Sequence, residues 1–368
     1  MRAHAHRIAT SSPSDVSGLA ELFHRGVLRP EDVVAVLGKT EGNGGRNDFT
    51  RELATTAVSR VFADRLEISP DEVGRRVVLS FSGGTEGVAS PHMVVLAVTA
   101  EAASGLREAG AKRLAIGTGT TRPFRPEEIG RRAQIDETAR AVREIAGALR
   151  LESLRDVHLV QMKGALPSAS FDEAEAARTG GAPLRNDMAH SRGASALAAG
   201  IAVGEIDPSD VSDDAVCRRW DLHSSVASVS AKPGLERTEI MVLANSPHWG
   251  GDLAIEHGVM RDILDVDTVR DTLGRLGVAF PGRPSPDQVA RIVGVFAKAE
   301  ADPRGVIRGR RHVMLDDDDV SDTRYARCTL AAVLASAIGD TAVYVSTRAE
   351  HHGPLGGGPV AIVARRLG

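Results

Sequence analysis

The sequence predicts an α/β protein, α+β in the ordering of its elements, made of three homologous units. Three observations predict it. The same ordered set of parts occurs three times in 368 residues: an apolar strand ending in lysine, a capped helix carrying arginine, and a strand ending in serine. The spacing is strict, since Lys163 to Asp187 and Lys298 to Asp322 are both 24 positions, and Asp187 to Arg192 and Asp322 to Arg327 are both 5. Each copy is closed by one further apolar strand. A long repeat with its parts in fixed order is a statement about architecture, because each unit has the same faces to bury.

The first unit, expected over residues 1–104, opens with a helical stretch, Val16 to Phe23. Val33 to Leu37 then has the β-branched content and length of a buried strand, and it stops at Gly38-Lys39. Gly42, Asn43, Gly44 and Gly45 allow a tight turn beside Lys39, and Asn47-Asp48 offers a helix cap. Behind the cap, Phe49, Leu53, Ala57, Val61 and Phe62 form one helical stripe expected to be buried, with Arg51 in the first turn. Ser82 in VVLSFSGGTEG and the strand from Met93 close the copy.

The second unit, expected over 112–249, is introduced by the Gly/Thr/Pro-rich Gly117 to Pro126, read as a linker, and by a charged helix from Pro126 to Leu149. The GTGT within that linker lacks the spacing of a phosphate-binding loop. Val157 to Lys163 repeats the lysine strand, Ser191-Arg192-Gly193-Ala194 opens an Ala/Leu-rich helix, and Ser230 precedes a strand from Ile240. The third unit, expected over 254–368, has a helix at Val269 to Leu276, a lysine strand from Ile292 to Lys298, Arg327 in its helix, Ser346, and a last strand from Val360. Gly353 to Pro359 reads as a turn-forming loop beside Ser346. In the first copy the lysine-to-cap and cap-to-arginine steps are 9 and 3, so its loop is shorter.

Composition excludes several classes. With 42% hydrophobic residues the chain can bury a sizeable core. A net charge of −4 gives no general pull toward nucleic acid or anionic lipid, and 3% aromatic residues leave few stacking platforms for single strands. Neither partner is expected. Cys217 and Cys328 lie far apart without CxxC spacing, which argues against a disulfide scaffold or a structural zinc site. No apolar run reaches membrane-spanning length and the N-terminal stretch lacks a signal-peptide core, so a cytoplasmic location is expected.

Lys39, Lys163 and Lys298 with Arg51, Arg192 and Arg327 and with Ser82, Ser230 and Ser346 make three matching sets. Units related by point symmetry bring equivalent residues around one axis, so the sets are expected to converge on a central pocket for a small, planar, electron-rich ligand. A lysine crowded by cations and partly desolvated has a lowered pKa and can take a proton from a serine hydroxyl. Serine plus lysine then forms a nucleophile and base without histidine, and the remaining hydroxyls, guanidinium groups and N–H donors can hold an oxyanion. The expected reaction class is acyl transfer with an amide as the bond broken, and the repeat alone leaves open which of the three pairs acts. Scattered histidines show no metal spacing, and the Asp316 to Asp319 run reads as a solvated loop. Glu300 could reach the Gly-rich loop after Ser346 and hold a cation with backbone carbonyls.

The motifs GKTEGNGGRNDFTR (Gly38 to Arg51), SGGTEG (Ser82 to Gly87), MAHSRGASAL (Met188 to Leu197) and AEHHGPLGGGP (Ala349 to Pro359) resemble the cyanuric acid hydrolase and barbiturase family of ring-opening amidases. The likeness covers essentially the whole chain. It implies three units around a pseudo-three-fold axis, each a four-stranded sheet with helices, and a homotetramer. It further implies hydrolysis of one amide bond of cyanuric acid, giving carboxybiuret and then biuret, with barbituric acid opening to ureidomalonate as the alternative. A silent binder of planar cyclic imides is the alternative from outside enzymes. Carried over by motif, Ser230 is the nucleophile and Lys163 its base, while Arg51, Arg192, Arg327 and the pairs Ser82-Gly83, Ser230-Ala231 and Ser346-Thr347 clamp the ligand beside Lys39 and Lys298. No organic cofactor is implied. A structural divalent cation, magnesium or calcium, falls on Glu300 and on Ala349, His352, Gly353, Pro354 and Gly357. Gly45-Arg46 departs from the pattern expected of many relatives. Cyanuric acid is the preferred substrate because its own three-fold symmetry offers one edge to each lysine, arginine and serine set.

Overall fold

The computed structural model describes residues 1–45, 47–100, 111–179, 183–278, 280, 282 and 284–366. Arg46 and the expected boundary at 104 lie outside the described residues. Three four-stranded sheets carry the fold, and all three have one topology. The first runs β1 (Arg2–Ala9), β4 (His92–Thr99), β2 (Val33–Thr40) and β3 (Val78–Gly83) in spatial order. The second places β5 (Arg113–Thr120), β8 (Glu239–Ser246), β6 (Val157–Leu166) and β7 (Ala227–Pro233) in the same positions. The third repeats them with β9 (Leu253–Met260), β14 (Gly358–Arg365), β10 (Ile292–Lys298) and β13 (Tyr344–Ser346). A two-stranded ribbon, β11 (Val306–Ile307) and β12 (Arg310–Arg311), stands apart.

Register shows how far the repetition extends. In each sheet the lysine strand pairs parallel with the serine strand, and the two residues face each other directly: Lys39 with Ser82, Lys163 with Ser230, Lys298 with Ser346. Each lysine strand also has a register shift against its antiparallel neighbour, between Val33 and Ala35, Val157 and Leu159, and Ile292 and Gly294. The shift sits at the same distance before every lysine. An extra residue there increases the local twist, and so aims all three strand ends alike.

Helices cover one face of each sheet. In the first unit these are α1 (Ser17–His24), α2 (Thr50–Leu66) and α3 (Pro70–Arg76). In the second they are α4 (Arg132–Ala148) and α6 (Met188–Val203), with the exposed α5 (Phe171–Arg178) burying no residue, and in the third α7 (Val266–Arg275), α8 (Pro286–Arg291) and α9 (Asp322–Ile338). The opposite faces meet in a shared core, where Leu37 and Val94 of the first sheet join Leu159 and Leu243 of the second and Phe296 and Val363 of the third. Buried on both faces, the central strands read as continuous apolar runs. Among the described residues no helix is long and apolar enough to cross a membrane.

Several elements differ from expectation. Gly117 to Thr120 is not linker but the end of β5, paired with Glu239 to Val242 of β8. Its glycines make room for α4, since a Cβ at Gly117 would lie 2.7 Å from the Ile145 side chain. The charged helix starts at Arg132, because Pro126–Glu128 forms a single 3₁₀ turn and Gly130 adopts φ +69°. The helix expected at Val269 begins at Val266, where Asp265 caps it through the Thr268 amide, and ends at Arg275. Gly358 and Pro359 belong to β14 rather than to the loop before it.

The buried stripe of α2 is Ala54, Val58 and Phe62, whereas Phe49 and Leu53 are 78% and 49% exposed. Arg51 at the head of the helix has to face the interior. Positions 54, 58 and 62 share its side of the helix, and this rotates the apolar face by about one residue.

Candidate active site

The ends of the lysine and serine strands and the N-terminal turns of α2, α6 and α9 bring the expected residues to a cavity of about 350 Å³ where the three units meet. The first unit supplies Arg51, Ser82 and Gly83, the second Arg192, Ser230 and Ala231, and the third Lys298, Arg327, Ser346 and Thr347. Lys39 and Lys163 lie beneath this lining. All three lysines are buried, at 1%, 4% and 0% exposure for Lys39, Lys163 and Lys298.

Burial without partners would be costly, and the ammonium groups are satisfied in a ring that links all three units. Lys39 Nζ donates to the Val345 carbonyl at 2.8 Å, Lys163 to that of Phe81 at 2.6 Å, and Lys298 to that of Val229 at 2.5 Å. Each acceptor immediately precedes the serine of a neighbouring unit. The cycle therefore runs first unit to third, third to second, second to first.

Within their own units the three lysines differ. Lys163 Nζ is 2.7 Å from Ser230 Oγ, Lys298 Nζ is 3.2 Å from Ser346 Oγ and also meets the Thr347 carbonyl, and Lys39 donates to the Gly83 carbonyl. Carbonyl acceptors favour the charged amine. Lys163 has one of them, where Lys39 and Lys298 each have two. Burial, with the Arg51 charge second, lowers the Lys163 pKa to about 7. Burial and then Arg192 bring Lys298 to about 7, and burial with Arg327 lowers Lys39 well below its ordinary value. Each lysine is thus depressed by an arginine from a neighbouring unit, in one cyclic order.

The arginines are held by carboxylates that the spacing of lysines, arginines and serines does not disclose. Arg192 makes a bidentate pair with Glu350, Nε to Oε2 at 2.8 Å and Nη2 to Oε1 at 2.6 Å. Burial opposes the Arg192 charge, but Glu350 outweighs it and the pKa is raised. Arg327 makes the equivalent pair with Glu86, Nε to Oε2 at 2.7 Å. A signal for both exists in the sequence, since Glu86 and Glu350 each stand four positions after their serine. The second unit has Gly234 there, and among the described residues no carboxylate from another unit pairs with Arg51. Its Nε lies 3.5 Å from Asp48, whose Oδ2 takes the Gly44 amide at 2.8 Å and whose Oδ1 takes that of Thr50 at 3.0 Å. Asp48 thereby orders the glycine turn and caps α2, as Asp187 caps α6 through the Ala189 and His190 amides. Gly84, at φ +104°, lets Arg327 pass, because a Cβ there would stand 2.4 Å from Nε.

Glu300 and the loop from Ala349 to Gly357 also meet. The Ala349 amide donates to Glu300 Oε2 at 2.9 Å, and the loop is curled by His352 N–H to the Ala349 carbonyl and Gly357 N–H to the Pro354 carbonyl. Burial and the Glu350 charge push the Glu300 pKa up, opposed by the Ala349 amide. The His352 ring is already used, with Nε2 accepting from the Val229 amide at 3.0 Å and Nδ1 at 2.6 Å from the Glu350 carbonyl. Its backbone carbonyl is the group left for a cation. No cluster of three or more His, Cys, Asp or Glu side chains suited to a metal occurs among the described residues.

Three sheets of one topology bring three register-matched pairs of lysine and serine together beside one polar cavity, a pseudo-symmetric α/β architecture. Residues 4–365 match the family model of the amidohydrolase ring-opening proteins, and the chain belongs to that family. It is a hydrolase. The cyanuric acid amidohydrolase of Pseudomonas sp. strain ADP is 47% identical over 363 residues, covering 98% of each chain. That of Enterobacter cloacae is 46% identical over 368 residues, covering 99% of this chain and all of its own. A solved cyanuric acid hydrolase, described as an innovation by structural concatenation, superposes with a TM-score of 0.89 at 45% identity and 99% coverage of both chains.

Proposed function

We propose that this chain opens the ring of cyanuric acid, with Ser230 as nucleophile and Lys163 as its base. What supports it most directly is the 2.7 Å contact between Lys163 Nζ and Ser230 Oγ at the edge of a cavity with three-fold repeated donors. The uncharged Lys163 takes the hydroxyl proton as Ser230 Oγ attacks a ring carbonyl. Arg51, Arg192 and Arg327, with Ser82-Gly83 and Ser346-Thr347, hold the other two carbonyls and stabilise the negative charge that develops on the attacked one. The ring C–N bond then breaks, and the proton on Lys163 passes to the departing nitrogen. Water attacks the resulting acyl-serine, Lys163 takes its proton and returns it to Ser230, and carboxybiuret leaves and loses carbon dioxide to give biuret.

The three-fold relation of the lysine–serine pairs favours cyanurate over barbiturate, because barbiturate replaces one ring N–H by carbon. Purified protein is expected to turn cyanurate into biuret. Consumption of barbiturate with cyanurate left intact would make the chain a barbiturase, and calorimetric binding of either ring without product would make it a silent binder.

Glu300 with the carbonyls of Ala349, His352, Gly353, Pro354 and Gly357 fits a magnesium or calcium ion, since two buried carboxylates, Glu300 and Glu350, lie close enough to raise the pKa of Glu300. Such an ion supplies charge balance and pins the loop. Chelation is expected to lower the melting temperature, and Glu300→Gln to remove that sensitivity; a chelator without effect on either protein removes the ion from the account. The homotetramer and the cytoplasmic location carried by the family resemblance belong to the same proposal, and a monomeric mass by light scattering would overturn the first.

A further inference from the structure

We propose that a second, smaller cavity behind Lys163 is a solvent port, through which this lysine exchanges protons with bulk water while a ring fills the central cavity. It rests on the assignment of Ser230 and Lys163 as the working pair. The chamber holds about 220 Å³ and is walled by Arg51, Thr55, Leu79, Phe81, Lys163 and Lys232. Ser230 lines the central cavity and Lys163 lines the chamber, so the 2.7 Å contact between them passes from one space to the other. Arg51 belongs to both walls. Lys298, by contrast, lines the central cavity alone among the described cavities, and a bound ring covers it.

Proton accounting gives the chamber its use. In each turnover Lys163 gains the serine proton, loses it to the departing nitrogen, gains one from water and returns it to Ser230 Oγ. These transfers cancel over a turnover, so the chamber serves the complexes that form while Lys163 is charged, which have to lose that proton to bulk before Ser230 can attack. A base reached only from the substrate side would reset its protonation only when the ring has left. From the chamber side Lys163 is faced by charged groups on several elements: Arg51 and Asp48 beside α2, Lys232 on β7, and Glu239 on β8, directly opposite Lys163 in register. Lys232 stands 3.7 Å from the exposed Glu52, continuing the charged path outward. Burial raises the Glu239 pKa while Lys232 and Lys163 oppose it, which brings carboxyl and amine closer in proton affinity.

Carbamoylation by potassium cyanate tests the port apart from turnover. Isocyanic acid adds to an uncharged amine, the N–C bond forming as the amine proton moves to the cyanate nitrogen, and peptide mass spectrometry reads the product on Lys163. In Ser230→Ala saturated with cyanurate, labelling of Lys163 is expected to slow by less than about twofold, whereas Leu79→Trp or Thr55→Met, which fill the chamber, slow it about tenfold with or without the ring. In the otherwise unaltered enzyme the same two variants lower kcat about tenfold and leave KM within about twofold. Full protection of Lys163 by the ring, or unchanged labelling in both chamber variants, overturns the proposal. Failure of cyanurate to bind Ser230→Ala overturns the substrate assignment instead, and the chamber variants still decide the port.

Discussion

The segments after Ser82 and Ser346 turn away from their sheets and carry Glu86 and Glu350 onto arginines of neighbouring units, whereas the segment after Ser230 continues as strand to Pro233. Gly234 occupies the place of the glutamate. The first arrangement is a neutralised clamp. Arg51, held by the Gly45 carbonyl and a 3.5 Å contact to Asp48, keeps more of its charge for the cavity and for Lys163. The repeat builds a symmetric container, and its departure from symmetry singles out one serine. A carboxylate beside Ser230 would oppose the oxyanion; a less neutralised guanidinium assists it.

Substituting the three serines in turn is the strongest way to break this contrast. Ser230→Ala is expected to lower kcat by roughly 10⁴-fold, and Ser82→Ala or Ser346→Ala by about 10²-fold or less, since these lose a ligand contact and keep the nucleophile. Comparable losses at all three positions would return the site to equivalence.

The lysines sharpen it through pH. Because Lys163 has to be uncharged to act, kcat/KM is expected to rise with pH through about 7. Lys163→Met should cost about 10³-fold and abolish that rise, whereas Lys298→Met, removing the other lysine near 7, should lower activity and keep it. Stability follows the same groups. A lysine at about 7 in the fold binds fewer protons than an unfolded one at about 10.4, so stability climbs with pH between those values. Chemical denaturation across that window should show a shallower climb in Lys163→Met.

The smallest effect separates clamp from catalyst. Glu350→Gln strands a buried guanidinium and should cost about 3 kcal/mol of folding stability. Asp48→Asn keeps an acceptor for the Thr50 amide and loses the one for the Gly44 amide, and should cost about 1 kcal/mol, the net value of one hydrogen bond. Equal costs would mean that Arg51 is as firmly paired as Arg192.

The repeat made most of the fold legible. Strands ending in Lys39, Lys163 and Lys298 and in Ser82, Ser230 and Ser346 share a spacing that packing and symmetry both demand, and the directly opposed registers follow from it. What escaped depends on contacts between units. Glu86 and Glu350 repeat in register, but their partners lie in other units, more than 150 positions away. Strand β5 escaped because glycines at 117 and 119 resemble a linker until Ile145 is seen to occupy the space. The buried stripe of α2 was misplaced because hydrophobicity alone favours Phe49 and Leu53, while the inward demand of Arg51 sets the rotation. The chamber behind Lys163 left no trace in the sequence, being formed by side chains from several elements.

Rapid quenching of the enzyme with cyanurate, followed by mass spectrometry of its peptides, tests the central claim most directly. The account predicts a ring-derived acyl adduct on the peptide bearing Ser230 and none on those bearing Ser82 or Ser346. An adduct on either of the latter would contradict it.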